Sequence, residues 1–337
     1  MLAPPDDLPD AELAAALERC WGLSVASIGY RAVGWGSHHW VAEGCGDDHS
    51  ARWRHWVTVD DLETSQLADG GPPDAAFGRL RAALEAASAL RQCGRGFVAA
   101  PLPATDGEPI ARMTARYAVA VYPFLDGKSF SGGEYTSDEH RMSVLGLITA
   151  VHSAPEAARR HALAEDFAIP SRDQLEAACQ EADRASDVGP YAKDAACLIG
   201  RHAELLRQLL ARYDGLVARA RTEDGWGVLT HGEPHAANTM LTADGWMLLD
   251  WDTALIAPPE RDLWHLDPGD GTILGAYADA AGVVPRQALL DLYRLGWDLT
   301  DLALAVGRFR RPHAGDANDD KTWRVLTFLL DRHSSVA

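Results

Sequence analysis

The chain has 337 residues, of which 47% are hydrophobic and 24% are charged, and it carries a formal net charge of -18 at pH 7. This length and apolar content suit one large domain or two lobes with a sizeable core, and they exclude an intrinsically disordered chain. The acidic balance excludes proteins that bind nucleic-acid backbones through clustered Lys and Arg, and it favours either simple solubility or cationic partners.

Cysteine usage and the apolar runs indicate the compartment in which the protein works. Five cysteines are scattered without a Cys-x-x-Cys pair, so neither a disulfide framework nor a zinc ribbon is predicted. The N-terminal residues lack the basic and apolar regions of a signal peptide. The longest apolar runs, such as 144–151, are shorter than the roughly 20 residues that span a bilayer. We therefore expect a cytoplasmic protein that binds neither nucleic acid nor membranes.

The first third of the chain reads as strands and turns around one long helix. That helix has an apolar stripe of Phe77, Leu80, Leu84 and Ala87, and Gly94 closes it. Alternating apolar residues and turn-forming residues mark the strands around it. The predicted elements are a short helix at 10–21, strands at 27–33, 39–43 and 52–59, the helix at 74–92, and a strand pair at 98–102 and 116–122.

Beyond Pro123 the pattern changes to helices, predicted at 138–153, 172–185, 191–213, 285–309 and 321–333. One compact β insert interrupts them, with a strand at 227–230 and a hairpin formed by 239–241 and 246–250. This order predicts an α+β protein. A small β-rich lobe occupies residues 1–123, and a larger, mainly helical lobe occupies residues 124–337.

The most informative stretch runs from Leu229 to Asn238, with the sequence Leu-Thr-His-Gly-Glu-Pro-His-Ala-Ala-Asn. Its two histidines are four residues apart, like a helical zinc pair, but the intervening Gly and Pro oppose a helix. The zinc deaminase signature needs a downstream Pro-Cys-x-x-Cys, and no cysteine follows Cys197. A zinc-dependent hydrolase is therefore the weaker alternative.

The same stretch fits phosphoryl transfer. Glu233 stands on a loop, Asn238 follows five residues later, and Asp250 ends the next hairpin strand. Oxygen ligands of this kind suit Mg²⁺, which leaves room for substrate phosphates. Glu233 would accept or orient the proton of the acceptor hydroxyl, and Asn238 and Asp250 would hold the metal that bridges the nucleotide phosphates. The alternative is an ordinary turn and hairpin with a capping Asn and a surface Asp.

At this point the sequence resembles a known family. Residues 231–238 resemble the catalytic loop of aminoglycoside phosphotransferases and related small-molecule kinases, and 249–252 resemble their metal-binding segment, the counterpart of Asp-Phe-Gly in protein kinases. Residues 261–264 resemble the acidic segment that follows it. The resemblance implies a two-lobed, protein-kinase-like fold, ATP or GTP as phosphate donor and Mg²⁺ as cofactor. It assigns catalysis to His231, Glu233 and His235, metal binding to Asn238 and Asp250, and acceptor binding to Asp252, Asp262 and Trp264.

The nucleotide side of the resemblance rests on weaker motifs. Residues 121–127 are similar to the hinge, and residues 34–38 take the place of the phosphate-covering loop. A lone Gly-x-Gly is also compatible with a simple turn. The nucleotide-binding residues implied by the resemblance are Gly34, Gly36, Ser37, Arg54, Thr58, Glu85, Tyr122 and Phe124.

Two positions depart from the family. Glu233 replaces the usual Asp, and Thr58 stands where a strand Lys holds the nucleotide phosphates. All three lysines of the chain lie beyond the hinge. Arg54 shares the face of Thr58 on a regular strand and is the nearest substitute, unless it points to solvent. Glu85, the expected partner of the Lys, is either a surface charge or a ligand of a second cation.

The acidic helical lobe and its tryptophans suggest the acceptor. A negative surface attracts polycations, and tryptophan faces bind sugars and cations. The sequence thus predicts a phosphotransferase that moves the γ-phosphate of ATP or GTP to a hydroxyl of a small, cationic molecule such as an aminoglycoside or aminocyclitol. Two alternatives stay open: a metabolic kinase acting on choline, homoserine or a sugar, and a kinase-like binding or sensing protein without turnover.

Overall fold

A five-stranded antiparallel sheet forms the small lobe, with the strand order β1-β2-β3-β5-β4. The computed structural model describes residues 1–34, 36–46, 52–63, 72–132, 135–181, 187–222 and 227–335. The strands are β1 (Val25–Arg31), β2 (His38–Cys45), β3 (Arg52–Asp61), β4 (Ala111–Arg112) and β5 (Tyr117–Pro123).

The two faces of this sheet pack against different parts of the protein. Side chains alternate along each strand, so Trp40, Val57 and Val119 point to one face, where they form a core with helix α1 (Asp10–Trp21). Thr58 lies directly opposite Ala120 on the other face. This second face packs in part against helix α2 (Pro73–Gln92) and in part covers the cleft between the lobes.

The large lobe is helical with short strands inserted. Helices α5, α6, α9 and α10 share one apolar core. The helices are α3 (Asp138–His152), α4 (Glu156–Arg159), α5 (Arg172–Gln180), α6 (Ala192–Ala220), α7 (Glu260–Leu266), α8 (Thr272–Ala281), α9 (Gln287–Phe309) and α10 (Ala317–Ser334). Strands β6 (Gly127–Ser129), β8 (Thr239–Thr242) and β9 (Gly245–Leu248) form one sheet, and β7 (Val228–Thr230) pairs with β10 (Leu255–Ala257).

Backbone hydrogen bonds join the two lobes beside the cleft. The predicted strand at 98–102 is wrong, because Val98 makes only an isolated bridge to Leu248. The amide of Ala99 donates to the carbonyl of Leu248 at 3.0 Å, and the amide of Leu248 donates to the carbonyl of Phe97 at 2.8 Å. The end of β9, from which the predicted metal-binding segment emerges, is therefore fixed to the small lobe.

The predicted α+β, two-lobed fold is confirmed, with differences in several elements. Helix α6 continues to Ala220 rather than 213, because its apolar stripe extends to Val217 and Ala220. Helix α10 begins four residues before the predicted start, behind a capping box formed by Asp316 and Asp319. Helix α5 ends at Gln180, and residues 182–185 of the predicted helix lie outside the described residues. Within the described ranges, no helix is long and apolar enough to cross a membrane.

Candidate active site

The loop between β7 and β8 has a shape that a buried carboxylate fixes. Gly232 has φ +102°, and a Cβ there would lie 2.5 Å from Nη1 of Arg261, so only glycine fits. The backbone amides of His231 and Gly232 donate to the two carboxylate oxygens of Asp262 at 2.9 and 2.6 Å. Asp262 on α7 therefore clamps the start of the predicted catalytic loop.

Asp262 lies away from the position expected for an acceptor contact. Its side chain is fully buried, and His152 contacts it through Nε2 at 3.0 Å. Burial alone would raise the pKa of Asp262, but the hydrogen bond and charge of His152 lower it below its usual value. With its oxygens engaged by the loop and by His152, the fully buried Asp262 positions the loop and presents no exposed surface to an acceptor.

His231 connects the catalytic loop to the segment after β9. Its ring is fully buried, and Nε2 donates to the carbonyl of Leu249 at 2.8 Å. The ring also packs edge-on against Trp251, with centroids 4.6 Å apart. Burial lowers the pKa of His231 to about 4, so the ring is neutral. His231 thus holds two functional segments in register and does not reach the cleft.

Oxygen atoms suited to a metal ion meet at the floor of the cleft. Asp250 is exposed there and has φ +62°, a left-handed conformation that is rare outside glycine. Asn238 is 9% exposed, and its Nδ2 donates to the carbonyl of Glu233 at 3.0 Å, so Oδ1 is the atom that would serve as a ligand. Strained backbone at a polar cleft is typical of functional sites.

Asp252 stands beside Asp250, and the two carboxyl groups share a hydrogen bond. Burial raises the pKa of Asp252 well above its usual value, and the charges of Asp250 and Glu233 add to the rise. Among the described residues, no three His, Cys, Asp or Glu side chains can hold a metal by themselves. The available set of carboxylate and amide oxygens fits Mg²⁺, which retains water or phosphate oxygens in its shell.

The side chain of Glu233 also lies at the floor of the cleft, near Asp250. This side chain is 18% exposed and lies 3.8 Å from Nε2 of His235. Burial raises the pKa of Glu233 to about 8, and Asp250 adds to the rise, whereas Arg261 opposes it. A carboxylate with a pKa near neutrality suits a general base.

A cavity of about 190 Å³ opens beside Glu233 and Asp252. Two ion pairs line it, Arg261 with Glu165 at 3.3 Å and Arg79 with Asp166 at 2.9 Å. The aromatic part of the wall includes Tyr213, Trp264, Tyr293 and Trp297.

Aromatic rings hold the predicted residues Trp264 and His235 near this cavity. Trp264 packs on His265 with centroids 3.8 Å apart and lies 5.7 Å from Trp297. His235 lies edge-on to His265 at 5.8 Å. Trp264 therefore reaches the expected acceptor side.

The roof of the cleft carries a carboxylate that the sequence patterns did not reveal. Asp60 is 5% exposed on β3 and accepts a hydrogen bond from Oγ of Ser37 at 2.6 Å. Burial raises the pKa of Asp60 to about 6, and the charge of Asp250 contributes. Thr58 hydrogen-bonds Tyr122, and burial raises the pKa of Tyr122 well above 10. Asp60 is two residues from Thr58, so strand alternation alone places both on the cleft face.

The predicted phosphate-covering loop, which Ser37 links to Asp60, has glycines where the backbone needs them. Gly34 has φ +72° and Gly36 has φ +92°, and both values lie in the left-handed region. Trp35, between them, lies outside the described residues.

The side chains of Arg54 and Glu85 are both held by neighbouring side chains. Nε of Arg54 pairs with Glu43 at 3.3 Å, and its guanidinium lies 3.6 Å from the ring centroid of Phe124. Glu85 pairs with Arg81 at 2.9 Å and with His161 at 3.4 Å. The predicted substitution of Arg54 for the missing Lys therefore has no support in this geometry.

We expect Arg54→Gln to change the KM for the nucleotide by less than about threefold, because an exposed ion pair contributes about 0–1 kcal/mol. Steady-state kinetics at varied nucleotide concentration would measure it. A rise in KM of tenfold or more would show that Arg54 reaches the phosphates after all.

Comparison with known proteins adds to this geometry. Residues 47–302 match the APH phosphotransferase enzyme family. Protein StrN of Streptomyces griseus is 33% identical over 261 residues, which cover 75% of this chain and 77% of StrN. The chain belongs to this phosphotransferase family.

Solved structures share the fold. The spectinomycin phosphotransferase APH(9)-Ia, in complex with ADP and spectinomycin, has a TM-score of 0.70 at 13% identity, over 97% of this chain and 98% of that chain. A microcompartment-associated aminopropanol kinase has a TM-score of 0.57 at 13% identity, over 97% and 98%. The amicoumacin kinase hAmiN, with AMP-PNP and Ca²⁺, has a TM-score of 0.55 at 12% identity, over 96% of this chain and 94% of that chain. At these identities the likeness shows a common fold.

Proposed function

We propose that this phosphotransferase moves the γ-phosphate of ATP to a hydroxyl group of a small cationic molecule, with an aminoglycoside or aminocyclitol as the acceptor class. The observation that carries the proposal is the meeting of Glu233, Asn238 and Asp250 at one cleft floor beneath the small-lobe sheet. The relatives solved with ADP and with AMP-PNP support a nucleotide in the cleft. A cytoplasmic location, where ATP and Mg²⁺ are abundant, belongs to the same proposal.

Each residue on the cleft floor has a distinct task in this reaction. Asn238 and Asp250 would hold Mg²⁺, which when bound neutralises charge on the nucleotide phosphates. Glu233 accepts the proton of the acceptor hydroxyl as the oxygen attacks the γ-phosphate. Asp262 and His231 keep the loop and the segment after β9 in place. Catalysis then depends mainly on positioning and on charge stabilisation.

The charges around the cavity support a cationic acceptor. Glu165 and Asp166 are compensated by Arg261 and Arg79. Glu233 and Asp252 have no such ion pair with a Lys or Arg among the described residues, and their pKa values are raised first by burial and further by the neighbouring negative charges. An acceptor whose ammonium groups flank the reacting hydroxyl would relieve this repulsion.

Tyr293 offers a direct test of the cavity. Its hydroxyl is buried without a hydrogen-bond partner in the described part of the chain. We expect Tyr293→Phe to raise the acceptor KM about 5- to 10-fold, because one hydrogen bond to the acceptor is lost. The KM for ATP should not change. The matched control is Tyr213→Phe, which removes a hydrogen bond to the carbonyl of Phe167 and should lower stability by about 1 kcal/mol.

Thermal melting separates the two tyrosine variants. Tyr293→Phe should melt at or above the wild-type temperature, because an unsatisfied buried hydroxyl is removed. An unchanged acceptor KM in Tyr293→Phe would place the acceptor outside this cavity.

The proposed reaction is tested by ADP release from purified protein with Mg²⁺ and ATP or GTP, over a panel of aminoglycosides, aminocyclitols, choline, homoserine and sugars. Acceptor-dependent ADP release with an aminoglycoside or aminocyclitol supports the proposal. Turnover with choline, homoserine or a sugar alone would overturn the acceptor class. Nucleotide binding without turnover on any acceptor would favour the binding or sensing alternative.

A further inference from the structure

Strand register reveals a second change opposite the missing lysine. Kinase phosphate loops follow the pattern Gly-x-Gly-x-x-Gly-x-Val, and the lysine stands on β3. Here the pattern reads Gly34, Gly36, His39 and Val41, so His39 occupies the position of the third glycine. His39 lies directly opposite Thr58 across strands β2 and β3. A histidine and a threonine therefore face each other where a glycine and a lysine are expected.

The imidazole of His39 lies under the phosphate-covering loop. Its Nε2 is 3.0 Å from the position that a Cβ on Gly34 would occupy. Because opposite residues of an antiparallel pair share a face, the ring is on the cleft face with Thr58. The ring of Trp56 flanks it, with centroids 5.4 Å apart.

His39 also has unused hydrogen-bonding capacity. Its Nδ1 is buried and has no hydrogen-bond partner within the described residues. Leaving a buried polar atom unpaired costs free energy, so a bound ligand that supplies a partner gains affinity. Burial lowers the pKa of His39 to about 4, so the free protein offers a neutral imidazole with one N–H donor.

The arginines of the small lobe do not occupy the position next to His39 that the missing lysine would take. Residues 1–123 contain ten arginines and no lysine. Among the described residues, five of the arginines form ion pairs with carboxylates: Arg54, Arg79, Arg81, Arg112 and Arg116. In the described part of the sheet, Arg31 is the only arginine that adjoins His39 in the strand register, and it lies at the exposed end of β1. Arg31 is therefore the one rival in the same row.

We propose that His39 binds the nucleotide phosphates from β2, in place of the lysine that Thr58 has replaced on β3. The proposal rests on the function proposed above, since it assumes a nucleotide in the cleft. In this arrangement the imidazole donates an N–H to a phosphate oxygen beneath the loop. No bond is made or broken by His39, and its contribution is to ground-state and transition-state binding of the phosphates.

The test compares the binding of Mg·ADP and of adenosine by isothermal titration calorimetry. His39→Ala should weaken Mg·ADP about 10-fold or more, as expected for a lost hydrogen bond to a charged group, and leave adenosine binding unchanged. Arg31→Gln, the matched control, should change Mg·ADP affinity less than about threefold. The double variant His39→Gly with Thr58→Lys restores the kinase arrangement and should recover Mg·ADP affinity.

The outcomes separate this inference from the proposed function. Wild-type protein that binds no Mg·ADP would overturn both. Wild-type binding with unchanged affinity in His39→Ala would overturn only the role of His39, and a loss confined to Arg31→Gln would transfer the role to Arg31. Equal weakening of Mg·ADP and adenosine in a folded His39→Ala would indicate a structural role and overturn the proposal. If His39→Ala does not fold, the double variant decides the question. A folded double variant that does not bind Mg·ADP would overturn the role proposed for His39.

Discussion

Replacing Asp250 with Asn is expected to lower kcat by about 10³-fold or more while the protein remains folded. The substitution removes the negative charge that would hold Mg²⁺ against the nucleotide phosphates. Asn tolerates a positive φ better than other side chains, so the backbone at φ +62° is preserved. Steady-state ADP release at saturating acceptor, over a range of Mg²⁺ concentrations, would measure the loss.

The stability of the Asp250→Asn variant should move in the opposite direction. The carboxyl groups of Asp250, Asp252 and Glu233 crowd one cleft floor, and Asp250 raises the pKa values of both neighbours. Removing one like charge relieves the repulsion, so we expect a higher melting temperature than in the wild type. Asp244→Asn, in the exposed turn of the β8–β9 hairpin, is the control and should alter neither kcat nor melting. Full activity in Asp250→Asn would refute its assignment to the metal.

The cleft floor was predictable from the sequence because its residues are close along the chain. Glu233 and Asn238 stand five residues apart, and a hairpin of four-residue strands carries the chain to Asp250. The glycine at 232 and the proline at 234 exclude a helix without any tertiary information. Local chemistry was enough to assemble this part of the site.

Other residues of the site depend on register and packing that no local pattern contains. His39 gains its place only because β2 pairs with β3 in the observed register. Asp262 follows an acidic pattern expected at an acceptor site, yet α7 buries it under the catalytic loop. Tyr293 reads as one more aromatic on the apolar stripe of α9, and only the packed structure shows that it lines the cavity and that its hydroxyl is buried without a partner among the described residues.

Glu85, on a helix, is another residue whose position could not be predicted from a local sequence pattern. Its place on α2 suggests a partner for the strand lysine, but the buried side of that helix is made of alanines and leucines. Glu85 lies off this side and pairs with Arg81 one turn earlier. Neither the strand lysine nor its glutamate partner is therefore in place. The second half of this conclusion could be drawn only once the orientation of α2 about its own axis was known.

Glu233 is the second residue at which we expect a substitution to lower kcat strongly. Glu233→Gln keeps the size of the side chain and removes its ability to take a proton, so we expect kcat to fall by about 10²- to 10⁴-fold. The KM for ATP should change little, because the role proposed for Glu233 is to take the proton of the acceptor. Rapid-quench measurement of phosphorylated acceptor in a single turnover would isolate the chemical step from product release.

Glu233→Asp keeps the carboxylate but shortens the side chain, so it tests whether the position of the carboxylate matters in addition to its presence. The family usually has Asp here, but Asp262 and Arg261 fix this loop around a Glu, and a shorter side chain withdraws the carboxylate by about one methylene length. A displacement near 1 Å can cost about 100-fold in rate, so Glu233→Asp should be impaired and still exceed Glu233→Gln in activity. Equal rates for the two variants would show that the carboxylate takes no proton. Wild-type activity in Glu233→Asp would show instead that the loop adjusts to either length.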